Sequence, residues 1–336
     1  MAHALETHNG EVAFALRGEP AWHGLANVLF DKDEHINTST MLDSAKLSNW
    51  DIQLEEVAIP VDYRSDKSNY FVTRTNPFDN GKDILAIVGS KYQVVQNEQL
   101  FEFGDNLLHG GASWESAGSI KGGRVVFGSL VVPREFTLDE QGANDKTTTY
   151  LLVHTSHDGS VAVQASITPV RVVCQNTLNL ALGSVKQSFK LRHTQSIDGK
   201  IQVAREALNL TFNYMDKFEQ EAQSLFNTKV DDKKFFDIIT AIYPKPDKDA
   251  TKAQLTKWDN KIVLLNSLYH ESPTNENIKG TAWGVLNALT ERLDYFKQER
   301  KNNLENRLAS ASGFDAMSNA EKNKLFSKVK QLANVA

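Results

Sequence analysis

Tyr150-Leu151-Leu152-Val153-His154-Thr155-Ser156-His157-Asp158-Gly159-Ser160-Val161-Ala162-Val163-Gln164-Ala165-Ser166-Ile167 is the stretch on which the fold turns. Two apolar runs flank Asp158-Gly159, a dipeptide suited to a type I′ turn, in which both central residues take positive φ. The pattern predicts a β-hairpin with strands over 150–156 and 160–167. Upstream, Trp114–Ile120 and Arg124–Val132 read as a second hairpin, joined at Lys121-Gly122-Gly123.

Further strands are expected at Tyr70–Thr73 and Ile84–Val88, with Asn80-Gly81 as the turn signal between them. Alternation from Trp50 to Val61 slips near Glu55-Glu56, which reads as a strand with a bulge. A short helix is expected over 39–47, a second from Asn97 to Gly110-Gly111, and a third over Asn176–Leu182. Phe189–His193 reads as a last strand. Met1–Pro20 shows no period and is expected to form an arm or loops.

Past 196 the period becomes helical. Ile201, Ala204, Leu208, Phe212, Met215, Phe218 and Leu225 recur at three and four residues, which predicts a long amphipathic helix over Asp198–Phe226. More helices follow over about 231–243, 251–269, 279–308 and 318–333. The fold class is therefore α+β: an antiparallel, hairpin-built sheet packed against helices, then a helical C-terminal region. The expected division is an arm over 1–20, an α+β core over 21–230 and a helical region over 231–336.

The chain has 336 residues, about 40% apolar and 24% charged, enough to bury a sizeable core. A single cysteine, Cys174, excludes an intramolecular disulfide and a four-cysteine zinc site. It fits a reducing, cytoplasmic setting. Met1–Gly10 lacks the apolar core of a secretion signal, and no apolar run is long enough to span a membrane.

Net charge is −5, but it is unevenly spread. Residues 1–160 carry 23 acidic and 12 basic side chains, and residues 161–336 carry 19 and 25. The excess is clearest from Val161 to Lys217, with seven basic against three acidic residues. A basic half points to a polyanionic partner, although attraction between the halves or to a second subunit explains the same asymmetry.

Several segments carry a family resemblance: Trp22-His23-Gly24; Val88-Gly89-Ser90-Lys91-Tyr92-Gln93-Val94-Val95-Gln96-Asn97; Ala117 to Val125; Ser156-His157-Asp158-Gly159-Ser160; and Thr168 to Leu178. In this order, over about Gly18–Phe226, they resemble the phage/plasmid-like family defined by domain of unknown function 932. That resemblance implies phage or plasmid origin and no established reaction. The order of elements is also similar to Rad52-type single-strand annealing proteins, phage recombination proteins that form rings and hold single-stranded DNA in a basic groove. This second likeness is one of architecture only.

The candidate binding residues are cations. Lys121 and Arg124 flank two glycines, where backbone can approach a phosphate closely; an ordinary charged hairpin tip is the alternative, and turn chemistry alone favours it. Arg171 precedes a helix start at Asn176, where free amides favour an anion; a buried ion pair is the alternative. Lys186, Lys190, Arg192, Lys200 and Arg205 form a basic run with Phe189 interleaved, the mixture a single-strand groove uses; a solvated face is the alternative.

His154 and His157 diverge if the strand is regular, so no metal site is expected. Cys174 sits in an apolar run and reads as core, as do Trp22, Trp50 and Trp114. No nucleophile elbow, zinc-protease motif, phosphate loop or dinucleotide fingerprint occurs, and no cofactor is expected. Three functions are carried forward. The first is single-stranded DNA binding or annealing by a homo-oligomer, ring-shaped as in the annealing proteins. The second is an accessory protein that binds a host protein. The third is a metal-dependent nuclease with scattered ligands.

Overall fold

The structure, a computed structural model, describes residues 5–18, 28–58, 69–108, 113–171, 188–193, 201–296 and 316–335. It is α+β. The strands are β1 (Thr7–His8), β2 (Glu11–Val12), β3 (Phe14–Arg17), β4 (Val28–Phe30), β5 (Gln53–Glu56), β6 (Asn69–Thr75), β7 (Lys82–Gly89), β8 (Trp114–Ile120), β9 (Val125–Leu138), β10 (Asp145–Ser156), β11 (Val163–Arg171) and β12 (Ser188–Leu191). The helices are α1 (Thr38–Ser44), α2 (Asn97–Leu107), α3 (Ile201–Asn227), α4 (Asp232–Ile242), α5 (Lys252–His270), α6 (Ala282–Glu291) and α7 (Ala316–Ala333). A π-helical turn, Arg292–Phe296, continues α6.

A seven-stranded sheet has the order β12-β11-β10-β9-β8-β3-β4, a three-stranded sheet the order β5-β6-β7, and β1 pairs with β2. Pairing is antiparallel between β11 and β12, β8 and β9, and β3 and β8, while β3 and β4 are parallel. The chain forms two compact units. One comprises the described residues of 1–133, 150–167 and 186–211, and the other those of 134–149, 168–185 and 212–336. Among the described residues no helix is long and apolar enough to cross a membrane.

In the first unit, α2 lies on the sheet. A side chain at Gly104 would meet Trp114 and Val153 at 3.1 Å, so its absence lets the helix backbone approach β8 and β10. The Phe101 and Trp114 rings stand 4.4 Å apart beneath it. Trp50 and Trp114 are both buried, as expected of core anchors. Helix α1 starts on Asn37, whose side chain accepts from the Thr40 N–H at 2.9 Å.

The second unit is built around α6, all of whose residues are buried. A helix that is mostly apolar and buried on every side belongs in a core, and its polar Thr290 side chain bonds back to the helix, donating to the Leu286 carbonyl. Trp283 on α6 donates from Nε1 to the Asp145 carboxylate at 2.8 Å and meets Phe218 of α3 edge-on. Phe235 and Tyr269 stack at 4.0 Å between α4 and α5.

Four local expectations are corrected. Met1–Pro20 is not loops over its described part: Phe14–Arg17 is a buried strand inside the seven-stranded sheet. Four residues are too few for a period to show, so pairing with β8 fixes their conformation, not their own pattern. The Asp158-Gly159 connection is not a two-residue turn. Of that pair only Gly159 has positive φ, at 71°, and six residues separate β10 from β11. The His157 N–H donates across to the Arg124 carbonyl at 2.7 Å, which ends the β10–β11 hairpin early.

The slip expected near Glu55-Glu56 is also displaced: the register shift lies at Val72/Thr73, where β6 pairs with β7. The fourth, concerning Phe189, belongs with the candidate interface. Trp22, the expected helix over Asn176–Leu182 and Cys174 lie outside the described residues.

Candidate nucleic-acid interface

The loops at one end of the seven-stranded sheet are tied together by backbone and histidine hydrogen bonds. The β8–β9 turn, 121–124, is held by His157 through the Arg124 carbonyl. The loop after β10 closes on itself: the Val161 N–H donates to the Ser156 hydroxyl at 2.9 Å, and the Ser160 N–H to the Asp158 carboxylate at 2.9 Å. His193, just past β12, has Nδ1 3.2 Å from the Gln93 carbonyl and Nε2 3.2 Å from the Thr155 hydroxyl. Nε2 also stands 3.1 Å from the Val161 carbonyl, so each ring nitrogen faces a backbone carbonyl and the neutral ring donates to one of the two. The Tyr92 ring stacks on His193 at 4.8 Å, and its hydroxyl donates to the Ser156 carbonyl at 3.0 Å.

This convergence gathers exposed cations. Lys121 and Arg124 are exposed on the turn, and Lys91 is exposed beside Tyr92. Lys190 and Arg192 are exposed on either side of buried Leu191, which pairs with Val163 at the start of β11. Asp158 sits among them. Burial pushes its carboxyl upward, but hydrogen bonds from Ser160 and Ser156 and the Lys121 charge outweigh that and hold it below the ordinary range.

Of the cations expected from sequence, Lys121, Arg124, Lys190 and Arg192 thus share this end of the sheet. Arg171 is the last residue of β11 and Arg205 lies on α3, with their side chains outside the described set; Lys186 and Lys200 are outside it altogether. Phe189 is corrected as a stacking platform. Its ring packs against Phe103 of α2 at 6.1 Å, on the strand face away from Lys190 and Arg192. Sequence reasoning assigned no role to Lys91. Its place in the Gly89-Ser90-Lys91-Tyr92 turn was the available signal, the same glycine-plus-cation pattern as at 121–124.

Beneath the turn lies a buried polar cluster. Arg74, 2% exposed, makes paired hydrogen bonds to Glu6 and bonds to Asp83 at 2.9 and 3.1 Å. Its guanidinium lies 4.1 Å over the Trp50 ring. The Ser119 hydroxyl donates to Glu6 at 2.5 Å. Trp50 also contacts the His157 ring, at 5.7 Å.

The Asn97 side-chain N–H donates to the Leu47 carbonyl, so its oxygen accepts from His157 Nε2–H at 3.0 Å. Burial, then the charges of His193 and Arg74, pull the His157 pKa down to about 3. Burial and the Lys190 charge do the same to His154. Among the described residues no group of three His, Cys, Asp or Glu side chains could hold a metal ion.

Gly123 has a packing role that its sequence context does not reveal. Its φ is +82°, and a β-carbon there would overlap Arg74 Nη1. Ion pairs on both sides keep that guanidinium from moving aside. Gly123→Ala is expected to destabilise the protein by about 2–4 kcal/mol, combining left-handed strain with overpacking. Gly122→Ala, with φ +65° and open space around it, should cost only about 1 kcal/mol. Equal losses in urea unfolding of the two variants would remove the packing role.

The geometry defines a class before a family: an α+β protein whose sheet loops carry exposed cations above a buried ionic cluster. The chain belongs to the family of the domain of unknown function DUF932, whose model matches residues 84–312. The match begins later than the sequence resemblance suggested and runs through the helices beyond 230, so α4, α5 and α6 are part of the family domain. No curated protein matches the chain, and no solved structure does.

Proposed function

We propose that this is a phage- or plasmid-encoded protein that binds single-stranded nucleic acid, acting as a homo-oligomer in strand annealing. The observation that supports the reading is the gathering of Lys91, Lys121, Arg124, Lys190 and Arg192 on hydrogen-bonded loops at one sheet end. Exposed cations on a fixed frame neutralise successive phosphates and release counterions. With the half-buried Phe189 ring against Phe103 and off the face of Lys190 and Arg192, the reading rests on electrostatics and not on base stacking.

Binding to a labelled oligo-dT should therefore weaken steeply with salt. Each phosphate contact contributes about −0.7 to the slope of log K against log salt. Lys121→Glu, Arg124→Glu and Arg192→Glu should each flatten the slope by about that amount and weaken binding without regard to base sequence. Absence of binding at low ionic strength, or a slope unchanged in the triple variant, would rule the reading out.

A further inference from the structure

The second unit holds a cleft of about 940 Å³ that plays no part in the sheet-end loops. Helix α5 lines it with Lys252, Lys257, Lys261 and Leu264. Residues 257, 261 and 264 follow at four and three positions, so they share one helix face. The buried residues of α5 are Leu265, Leu268 and Tyr269, so this face looks into the cleft and not into the core. Arg292, Phe296 and Glu321 complete the wall.

Arg292 and Phe296 are the two ends of the π-helical turn, a rare backbone form that recurs at functional sites. Arg292 is 8% exposed. Its Nη2 donates to the Tyr243 hydroxyl at 3.0 Å and stands 3.7 Å from Glu321, and its buried Nε has no hydrogen-bond partner among the described residues. The Tyr243 ring carries two cations, Lys261 at 4.4 Å and Arg292 at 5.2 Å. It is held in place by Trp258, which donates to its carbonyl at 2.8 Å.

Four cations thus face one carboxylate. Among the described residues Lys252, Lys257 and Lys261 make no salt bridge. Burial lowers the Lys261 pKa, and the charges of Arg292 and Lys257 lower it further. An anion entering the cleft relieves this repulsion. A phosphate monoester carries about −1.5 to −2 at neutral pH, so two or more phosphates match the excess. Phe296, 45% exposed, and Leu264 offer an apolar wall for a planar group. The volume is in the range of small-molecule sites.

We propose that this cleft binds a free nucleoside di- or triphosphate, its phosphates on Lys257, Lys261 and Arg292 and its base against Phe296. The site is built from residues of the second unit alone and does not depend on the strand-binding reading.

The test is calorimetric titration of the full chain with inorganic pyrophosphate, adenosine 5′-triphosphate and an oligo-dT. Pyrophosphate and the nucleotide should both bind, the nucleotide more tightly. The Lys257→Glu/Lys261→Glu variant, altered on a solvent-facing helix side, should weaken both by on the order of tenfold or more. Arg292→Lys, which keeps the charge, should weaken them less than Arg292→Ala. Lys121→Glu/Arg124→Glu should leave both unchanged. No binding at millimolar ligand, or equal affinity in the α5 variant, overturns the proposal. Displacement of the nucleotide by oligo-dT, with dT binding lost in the α5 variant, assigns the cleft to a strand backbone and overturns it as well.

Discussion

Arg74→Met is expected to lower the stability of the first unit by about 3–5 kcal/mol, the cost of leaving a buried charge without its partner. Among the described residues Arg74 is the only cation placed against Glu6, itself 8% exposed. With the guanidinium gone, Glu6 keeps only the Ser119 hydroxyl at 2.5 Å and must hold a carboxylate out of water. Asp83, 36% exposed, can turn to solvent and loses less. A Glu6→Gln/Arg74→Met double variant should recover part of the loss, because no uncompensated charge remains. The measurement is urea unfolding with amide exchange followed on β6 and β8 of the first unit and on α6 of the second, so that each unit is resolved. A loss below about 1 kcal/mol would mean that the cluster is solvated and not structural.

Stability should also fall by about 3 kcal/mol between pH 7.5 and 5.5. His154 and His157 have folded pKa values near 3, against an ordinary 6.5. Below 6.5 the unfolded chain takes up protons that the folded one refuses, so stability is full above the unfolded value and drains as pH falls toward 3. One pH unit below 6.5 this amounts to about 1.4 kcal/mol per histidine. His193, lowered mainly by burial, adds in the same direction. Glu115, raised by burial against the opposing Arg17, acts in the opposite sense. A His154→Gln/His157→Gln variant isolates the two histidines and should remove most of the slope. A wild-type profile that stays flat over this window would contradict the buried neutral state.

The elements legible from the chain were those whose signal is local. The apolar runs within Tyr150–Ile167 and the helical spacing from Ile201 are local patterns, and β10, β11 and α3 overlap the expected segments, with β10 beginning five residues earlier and β11 three residues later than expected. Asn80-Gly81 as a turn depends only on near neighbours, and it holds, with Asn80 at φ 60° between β6 and β7. The cationic character of the β8–β9 turn and of β12 was also legible, since strand parity alone puts Lys190 and Arg192 on one side.

What escaped the sequence depends on partners far along the chain. Phe14–Arg17 is a strand because β8 is beside it, about a hundred residues on. Gly123 is needed because Arg74 lies under it, and Arg74 is there because Glu6 and Asp83 hold it. His157 leaves the hairpin because Asn97 and Arg124 offer it better partners. Phe189 is committed to Phe103, and Lys257, Lys261 and Arg292 meet across helices that no periodicity relates. The sequence by itself determined an α+β protein with strands first, helices last and cations near the junction, because period and turn chemistry act over a few residues. Tertiary structure alone decided which cations share a surface and which polar groups are buried, because those depend on contacts between segments that the chain brings together only on folding.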